Sequence, residues 1–407
     1  MATKGFCALF AVSALLLAGC AAAPVATPSV TAPAEAAGAA PAVEPTEADP
    51  SSVTMAAIAA EAENQRLSNQ RISIASVGDM MIGTDYPKNT LPDDDAAGFL
   101  GAVASILSEA DIAFGNLEGV LLEGGEPAKK CSNPQACYLF RSPPRYAQHY
   151  ADAGFDVLSL ANNHARDFGE EGRSASMQHL EAVGIAHSGR AGDYAILTHD
   201  GLSIAVIAFA VTKNSNMMLD LELAAAQVRE LAARHDLLLV SFHGGAEGQD
   251  ATRLPFAEEE YYGEPRGDVV RFARTMVDEG ADLVIGHGPH VIRAAELYKD
   301  RLIAYSLGNF ATYYGISVAG IKGVAPILQT TLDGHGRFVS GQVYSTVQER
   351  PAGPRLDASQ RALHLLRNLS IQDFGNPGLQ FGEDGAITPI ERDTPQPYWL
   401  QTENAAP

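Results

Sequence analysis

Basic residues are scarce in this chain of 407: 28 Lys and Arg stand against 49 Asp and Glu, a formal net charge of −21. A mean field of that sign repels polyanions, so non-specific binding to DNA, RNA or anionic lipid is excluded and no nucleic-acid partner is expected. Charge of both signs reaches only 19%, too little for a disordered acidic protein, while Val, Ile, Leu and Phe runs recur throughout. Cysteines number four, and a chain this long buries enough core to fold without a disulfide or metal framework. The G-x-S-x-G elbow, the Walker A loop and the Rossmann glycine fingerprint are all missing. Their absence removes the serine-hydrolase, phosphate-loop and dinucleotide chemistries that those motifs carry.

Met1 to Lys4 form a short basic start, and the apolar stretch Gly5 to Ala18 is too short to span a bilayer as a stable helix. It closes as Leu17-Ala18-Gly19-Cys20, which resembles a bacterial lipobox. The resemblance implies a lipoprotein signal peptide over 1–19, removed before Cys20, and lipidation of that thiol. Several acyl chains on one residue anchor a protein stably. An ordinary secretory signal cut elsewhere is the alternative. Ala21 in place of an aspartate points to the outer membrane, so the expectation is an exported protein, lipid-anchored at the periplasmic face of the envelope. Residues 20–70 then form an Ala/Pro-rich tether, with a helix expected over 54–68. In an oxidising compartment the short loop from Cys131 to Cys137 favours a local disulfide over a metal pair, for which no second cysteine pair exists.

From residue 71 a unit recurs in which a helix, a glycine or polar break and an apolar strand end in a polar cluster. Strand Ile72–Val77 delivers Gly78-Asp79, Ile112–Phe114 delivers Gly115-Asn116-Leu117-Glu118, and Phe155–Leu160 delivers Ala161-Asn162-Asn163-His164. Leu237–Phe242 leads to His243 and Glu247, and Leu283–Ile285 to Gly286-His287-Gly288-Pro289-His290. Leu302–Tyr305, ending in Ser306-Leu307-Gly308-Asn309, forms a sixth wall. Helices are expected near 103–109, 145–153 and 222–234, and over Val269–Val277 with Gly280 as its stop. Continuous apolar strands belong to sheets covered on both faces, and α/β sheets collect their chemistry at strand carboxyl ends. The expectation is one α/β domain over 71–350, followed by an extension, 351–407, of loops wrapped on it.

Carboxylate, amide and imidazole ligands without thiolate suit Mn, Fe or Zn, one or two ions per chain. Asp79, Asn116, Asn163, His243, His287 and His290 are the candidate ligands. Glu118 and Glu247 either support them from behind or lie at the surface. His164 is the candidate general acid, and Asp167 the group that holds its tautomer. His149, His179, His187, His199, His235, His335 and His364 are read as structural, and Asp93–Asp95 and Glu258–Glu260 as solvated charge runs.

With Gly78-Asp79-Met80-Met81-Ile82-Gly83, Gly115-Asn116-Leu117-Glu118, Ala161 to Gly169, Gly286 to Val291 and Tyr305 to Phe310 in order, the chain resembles the CapA family of poly-γ-glutamate capsule biosynthesis proteins. That family is similar to calcineurin-like metallophosphoesterases. The resemblance implies a four-layer α/β/β/α sandwich, a dinuclear metal centre, and an anionic polymer such as poly-γ-glutamate or its precursor as partner, with capsule synthesis proteins alongside. Its pattern is broken at Met81, where that superfamily has a histidine ligand, and at Asn116, where it has a bridging aspartate. The terminal motif is His-x-x-His rather than His-x-His, and Gly244 replaces a common tryptophan. Two functions follow: a metal-dependent hydrolase or transferase of the polymer, or a non-catalytic binding or export component. In the second, focal arginines such as Arg141, Arg166 and Arg293 would hold the chain.

Overall fold

The computed structural model describes residues 50–129 and 137–390, so the expected signal peptide, Cys20 and Cys131 lie outside the described residues. Helix α1 (Pro50–Asn69) covers the helix expected over 54–68. No helix among the described residues is long and apolar enough to cross a membrane.

Strands β1 (Arg71–Met81), β2 (Ile112–Leu117), β3 (Val157–Ser159) and β4 (Ala186–Ser188) are mutually parallel and begin the first sheet. Between them run α2 (Ala104–Ser108), α3 (Tyr146–Asp152) and α4 (Gly169–Ala182). The chain then builds a second sheet from β5 (Ala195–His199), β6 (Leu202–Ala210), β7 (Asn216–Met217), β8 (Leu237–His243), β9 (Leu283–His287), β10 (Ala295–Tyr298) and β11 (Arg301–Ala304). Its order is β10-β11-β9-β8-β6-β5, with β7 beside β6, and it carries α5 (Leu221–Ala232) and α6 (Val269–Asp278). Returning, the chain adds β12 (Asn309–Thr312) alongside β1 and the long antiparallel pair β13 (Val324–Asp333) and β14 (Phe338–Gln348). Finally β15 (Pro354–Leu356), α7 (Arg361–Phe374), β16 (Leu379–Phe381) and β17 (Ala386–Pro389) close the first sheet. The first sheet reads β16-β17-β14-β13-β1-β2-β3-β4.

The layers follow from alternation along the strands. Ile72, Ile74, Ile112, Phe114 and Val157 share a core with the second sheet, whereas Ala75, Val77, Ala113 and Leu158 face the other way, onto Leu107, Tyr146, Tyr150 and Leu180 of α2–α4. On the far side, Phe272 of α6 sits edge-to-face against Phe209 and Phe242. The result is the four-layer α/β/β/α sandwich. Helices start where the sequence offers caps: Asp220 accepts from the Leu223 amide and Asp268 from the Arg271 amide. Gly280, at φ 109°, ends α6 as expected, with the Gly280 and Ala281 amides closing onto Val277 and Met276.

The carboxyl-terminal expectation is corrected. Residues 351–390 are not loops but β15, α7, β16 and β17, joined to β14 through β15 and β17. The apolar spacing of Leu363, Leu366 and Leu369 buries one face of α7, and Pro351 and Pro354 fall outside it. Nor did the recurring unit include β6, whose burial is nearly complete.

One close approach holds the site end of the sandwich. A Cβ on Gly78 would overlap the carbonyl oxygen of Gly308, the acceptor for the Asp79 amide at 2.8 Å. Gly78→Ala should therefore push β1 from β12 and cost about 3 kcal/mol, the upper range for overpacking. Chemical denaturation checks this; an unchanged midpoint means the strands yield freely.

Candidate metal centre

Parallel strand ends bring the polar clusters together. Asp79 lies in register with Asn116 of β2 on one side and Asn309 of β12 on the other. Across the sandwich, His243 ends β8 directly beside His287 at the end of β9. Asp79 is fully buried; its Oδ1 lies 3.5 Å from His287 Nδ1 and its Oδ2 3.0 Å from His290 Nδ1. Glu118, equally buried, has Oε1 3.5 Å from His243 Nε2 and 3.7 Å from His290 Nε2. Asp79, Glu118 and His290 each offer a ligand atom within 4.8 Å of the others. His290 reaches this point from a left-handed backbone, φ 59°, a conformation a side chain rarely adopts and one that concentrates at functional sites. Asn309 Nδ2 donates to its carbonyl at 3.3 Å.

Many of these atoms lack hydrogen-bond partners. Both oxygens of Glu118, both ring nitrogens of His243 and both of His287 are buried without one among the described residues. Leaving such groups unpaired costs roughly 1–3 kcal/mol each, and more where charged. The donor set, two carboxylates and three imidazoles, fits a borderline divalent cation. Burial drives the His243 imidazole down to about 3, so it is neutral, the form that ligates. Burial also raises the Glu118 carboxyl to about 7. Burial alone would lower His290, but the Glu118 and Asp79 charges outweigh it and push it up to about 10. For Asp79, burial is overcome by the imidazoles of His287 and His290 that face it, which hold it well below the usual carboxylate range.

A second arm adjoins the cluster. His164 Nδ1 lies 2.8 Å from Asp167 Oδ2, which also accepts from the Phe140 amide at 2.7 Å. Lys129 Nζ lies 3.3 Å from Asp167 Oδ1, and the Phe140 ring lies against the imidazole, tilted by 31° with centroids 4.2 Å apart. The His164 charge is near enough to lower the Glu118 carboxyl. An amide relay ties the arms: Asn162 Nδ2 donates to Asn116 Oδ1 at 3.0 Å, and Asn116 Nδ2 donates to Asp79 Oδ1 at 2.9 Å.

Asp79, His243, His287 and His290 are thus brought together. Asn116 touches the cluster with its amide engaged at both ends, and Asn163 presents a buried Oδ1 without a hydrogen-bond partner among the described residues. Glu118 sits inside the cluster, and Glu247 Oε2 reaches within 3.8 Å of His290 Nε2 while Arg266 holds its other oxygen at 2.9 Å. Met81 packs with Phe140 and Ile316 in an apolar cluster. Cys137 is disulfide-bonded, and Cys131 lies outside the described residues.

Two expectations are corrected. Arg293 cannot hold a polymer: it is fully buried, paired twice with Glu259 at 2.7–2.8 Å and bonded to the Ala246 and Ala251 carbonyls. The same pair makes Glu259 a buried counter-charge rather than part of a solvated run. Arg141, for its part, is paired with Asp85 at 2.6 Å. Asn162, Lys129 and Arg266 were not anticipated. Asn162 stood inside a quoted motif, whereas nothing in the sequence marks Arg266 as buried.

A four-layer α/β sandwich with a buried carboxylate–histidine cluster at its strand ends presents a candidate site for a divalent cation. Residues 73–314 match the family model of the bacterial capsule synthesis protein PGA_cap, and the chain belongs to that family. It is 28% identical over 256 residues to the PGA biosynthesis protein CapA of Bacillus subtilis, covering 59% of this chain and 63% of that one. To the capsule biosynthesis protein CapA of Bacillus anthracis it is 26% identical, covering 59% of each. A probable polyglutamine synthesis accessory protein of Mycobacterium tuberculosis is 27% identical over 231 residues, covering 50% of this chain and 56% of that one. Each match spans less than two thirds of the relative's length. Among solved structures, a putative 5'-nucleotidase from Staphylococcus aureus superposes with a TM-score of 0.41 at 14% identity, covering 74% of this chain and 58% of that one.

Proposed function

We propose that the chain is an exported, lipid-anchored, metal-dependent hydrolase or transferase acting on an anionic capsule polymer, poly-γ-glutamate or its precursor, and cleaving or transferring an amide or phosphoester linkage. The observation that supports it most is the convergence of Asp79, Glu118 and His290 within 4.8 Å, next to the unpartnered nitrogens of His243 and His287. Those five side chains would hold Mn, Fe or Zn. When bound, such an ion supplies a Lewis acid that polarises a phosphoryl or acyl oxygen. The chain's own residues do the rest. Asp167 holds Nδ1 of His164, so an imidazolium there carries its other proton on Nε2 for delivery to a leaving group. Asn162 and Asn116 fix Asp79 in its orientation.

The full chain, purified without chelator, should carry one or two ions. It should then release products from γ-glutamyl oligomers or phosphoesters. No specifically bound ion, even after resupply of Mn, Fe or Zn, would overturn this function.

A second reading, a non-catalytic binding or export component of capsule synthesis, is favoured by two positions. Met81 offers its thioether only to an apolar cluster, and Asn116 spends its amide on hydrogen bonds. Metal binding with no turnover of any such linkage is the outcome that selects it.

A further inference from the structure

We propose that a cationic cavity beside His164 is the subsite for the substrate's acidic groups, an assignment that rests on the polymer function above and says how that polymer is held. The cavity measures about 530 Å3, and its wall carries Lys129, Arg166, Arg173 and Lys213 against a single acidic side chain, Glu264. In a chain of net charge −21 this reverses the sign locally, and a concave wall focuses the field it makes.

The cations have charge to spare. One carboxylate, Glu170, serves three guanidiniums: Arg173 at 2.5 Å, Arg190 at 2.6 Å and Arg166 at 3.4 Å. The third of these contacts is made by the buried Arg166 Nε, which at 3.4 Å from Glu170 forms an ion pair but no hydrogen bond among the described residues. Lys213 is exposed and forms no ion pair among the described residues. Lys129 spans the cavity wall and the His164–Asp167 pair, so an anion seated here lies next to the candidate general acid. Asn163, whose Oδ1 has no hydrogen-bond partner among the described residues, lines the same wall.

The chemistry selected is that of oxyanions spaced along a chain. A γ-linked glutamate polymer leaves one α-carboxylate free per residue, so it brings a row of counter-charges to a wall that carries Arg166 and Lys213, each able to form charge-assisted hydrogen bonds. A phosphate group would satisfy one cation pair but offers no repeat.

The test is isothermal titration of the full chain, supplied with Mn, using a γ-linked glutamate hexamer in one arm and inorganic phosphate in the other. Arg166→Gln and Lys213→Glu should each weaken hexamer binding by about tenfold or more, the size of a lost charged hydrogen bond, with metal content unchanged. Hexamer affinity equal to the parent's in both variants would overturn the subsite while leaving the metal centre standing. Binding of phosphate but not of hexamer by the parent chain would also overturn it. Conversely, a chain that takes up no metal yet loses hexamer affinity in Lys213→Glu supports the subsite and removes the metal-dependent function.

Discussion

Asp79→Ala should lose its metal ion: affinity is expected to fall by more than about 100-fold, beyond the 10–100-fold typical of groups that merely support a ligand. Asp79 turns one oxygen toward His287 at 3.5 Å and the other toward His290 at 3.0 Å. It is also held from β2 by the Asn116 amide at 2.9 Å. Removing it takes away both the charge and the anchor of the relay. Asp79→Asn separates the two, since it keeps the shape and gives up only the charge. Metal content and titration read the result, with a thermal melt of the metal-free forms as a check on folding. Parent-like affinity in both variants would show that the ion, if bound, sits elsewhere.

The same geometry sets a pH dependence. His290, raised to about 10, carries a proton at neutral pH that must leave before the ring can ligate. Glu118, raised to about 7, is partly protonated there as well. Metal affinity should therefore rise with pH from 6 to 9, and binding should release protons. In the metal-free protein the signs differ by group. Asp79, depressed, stabilises the fold above its unfolded value of 3.8 and loses that contribution as pH falls through its folded value. The His290 contribution is complete below 6.5 and is lost as pH rises through about 10. The pair therefore supports the apo fold most between those limits.

The strand-end placement of Asp79, His243, His287 and His290 was legible because fully buried strands read as unbroken apolar runs, and whatever polar group follows must sit at the sheet's edge. β6 escaped the pattern because its apolar run, Leu202–Ala210, delivers no chemistry-bearing cluster. Glu118 could not be placed, since a carboxylate just past a strand looks the same at a surface and in a core. Its position has a simple cause. Glu118 follows the end of β2, where its amide donates to the Met80 carbonyl at 2.9 Å, and its carboxylate supplies to the cluster the charge that the Asn116 amide lacks. Glu259 and Arg266 were hidden for another reason: long charged side chains read as solvated until tertiary structure pairs them, here with Arg293 and Glu247.

His164→Ala is the variant that separates catalysis from binding. The imidazole contacts Asp167, Lys129 and Phe140 and forms no hydrogen bond or ion pair with the cluster side chains among the described residues, so metal content should equal the parent's. Turnover of whichever linkage the parent cleaves should fall by about 10²–10⁴, the range for a positioned general acid. The loss should be smallest for substrates with acidic leaving groups, which depart without a proton, and largest for amides. Asp167→Asn should give an intermediate loss, because its oxygen still accepts from the Phe140 amide while the imidazolium loses its counter-charge. A His164→Ala protein that keeps parent turnover, with metal bound, would leave the proton to come from another group. Glu118, raised to about 7 and already inside the cluster, would then be the side chain to replace next.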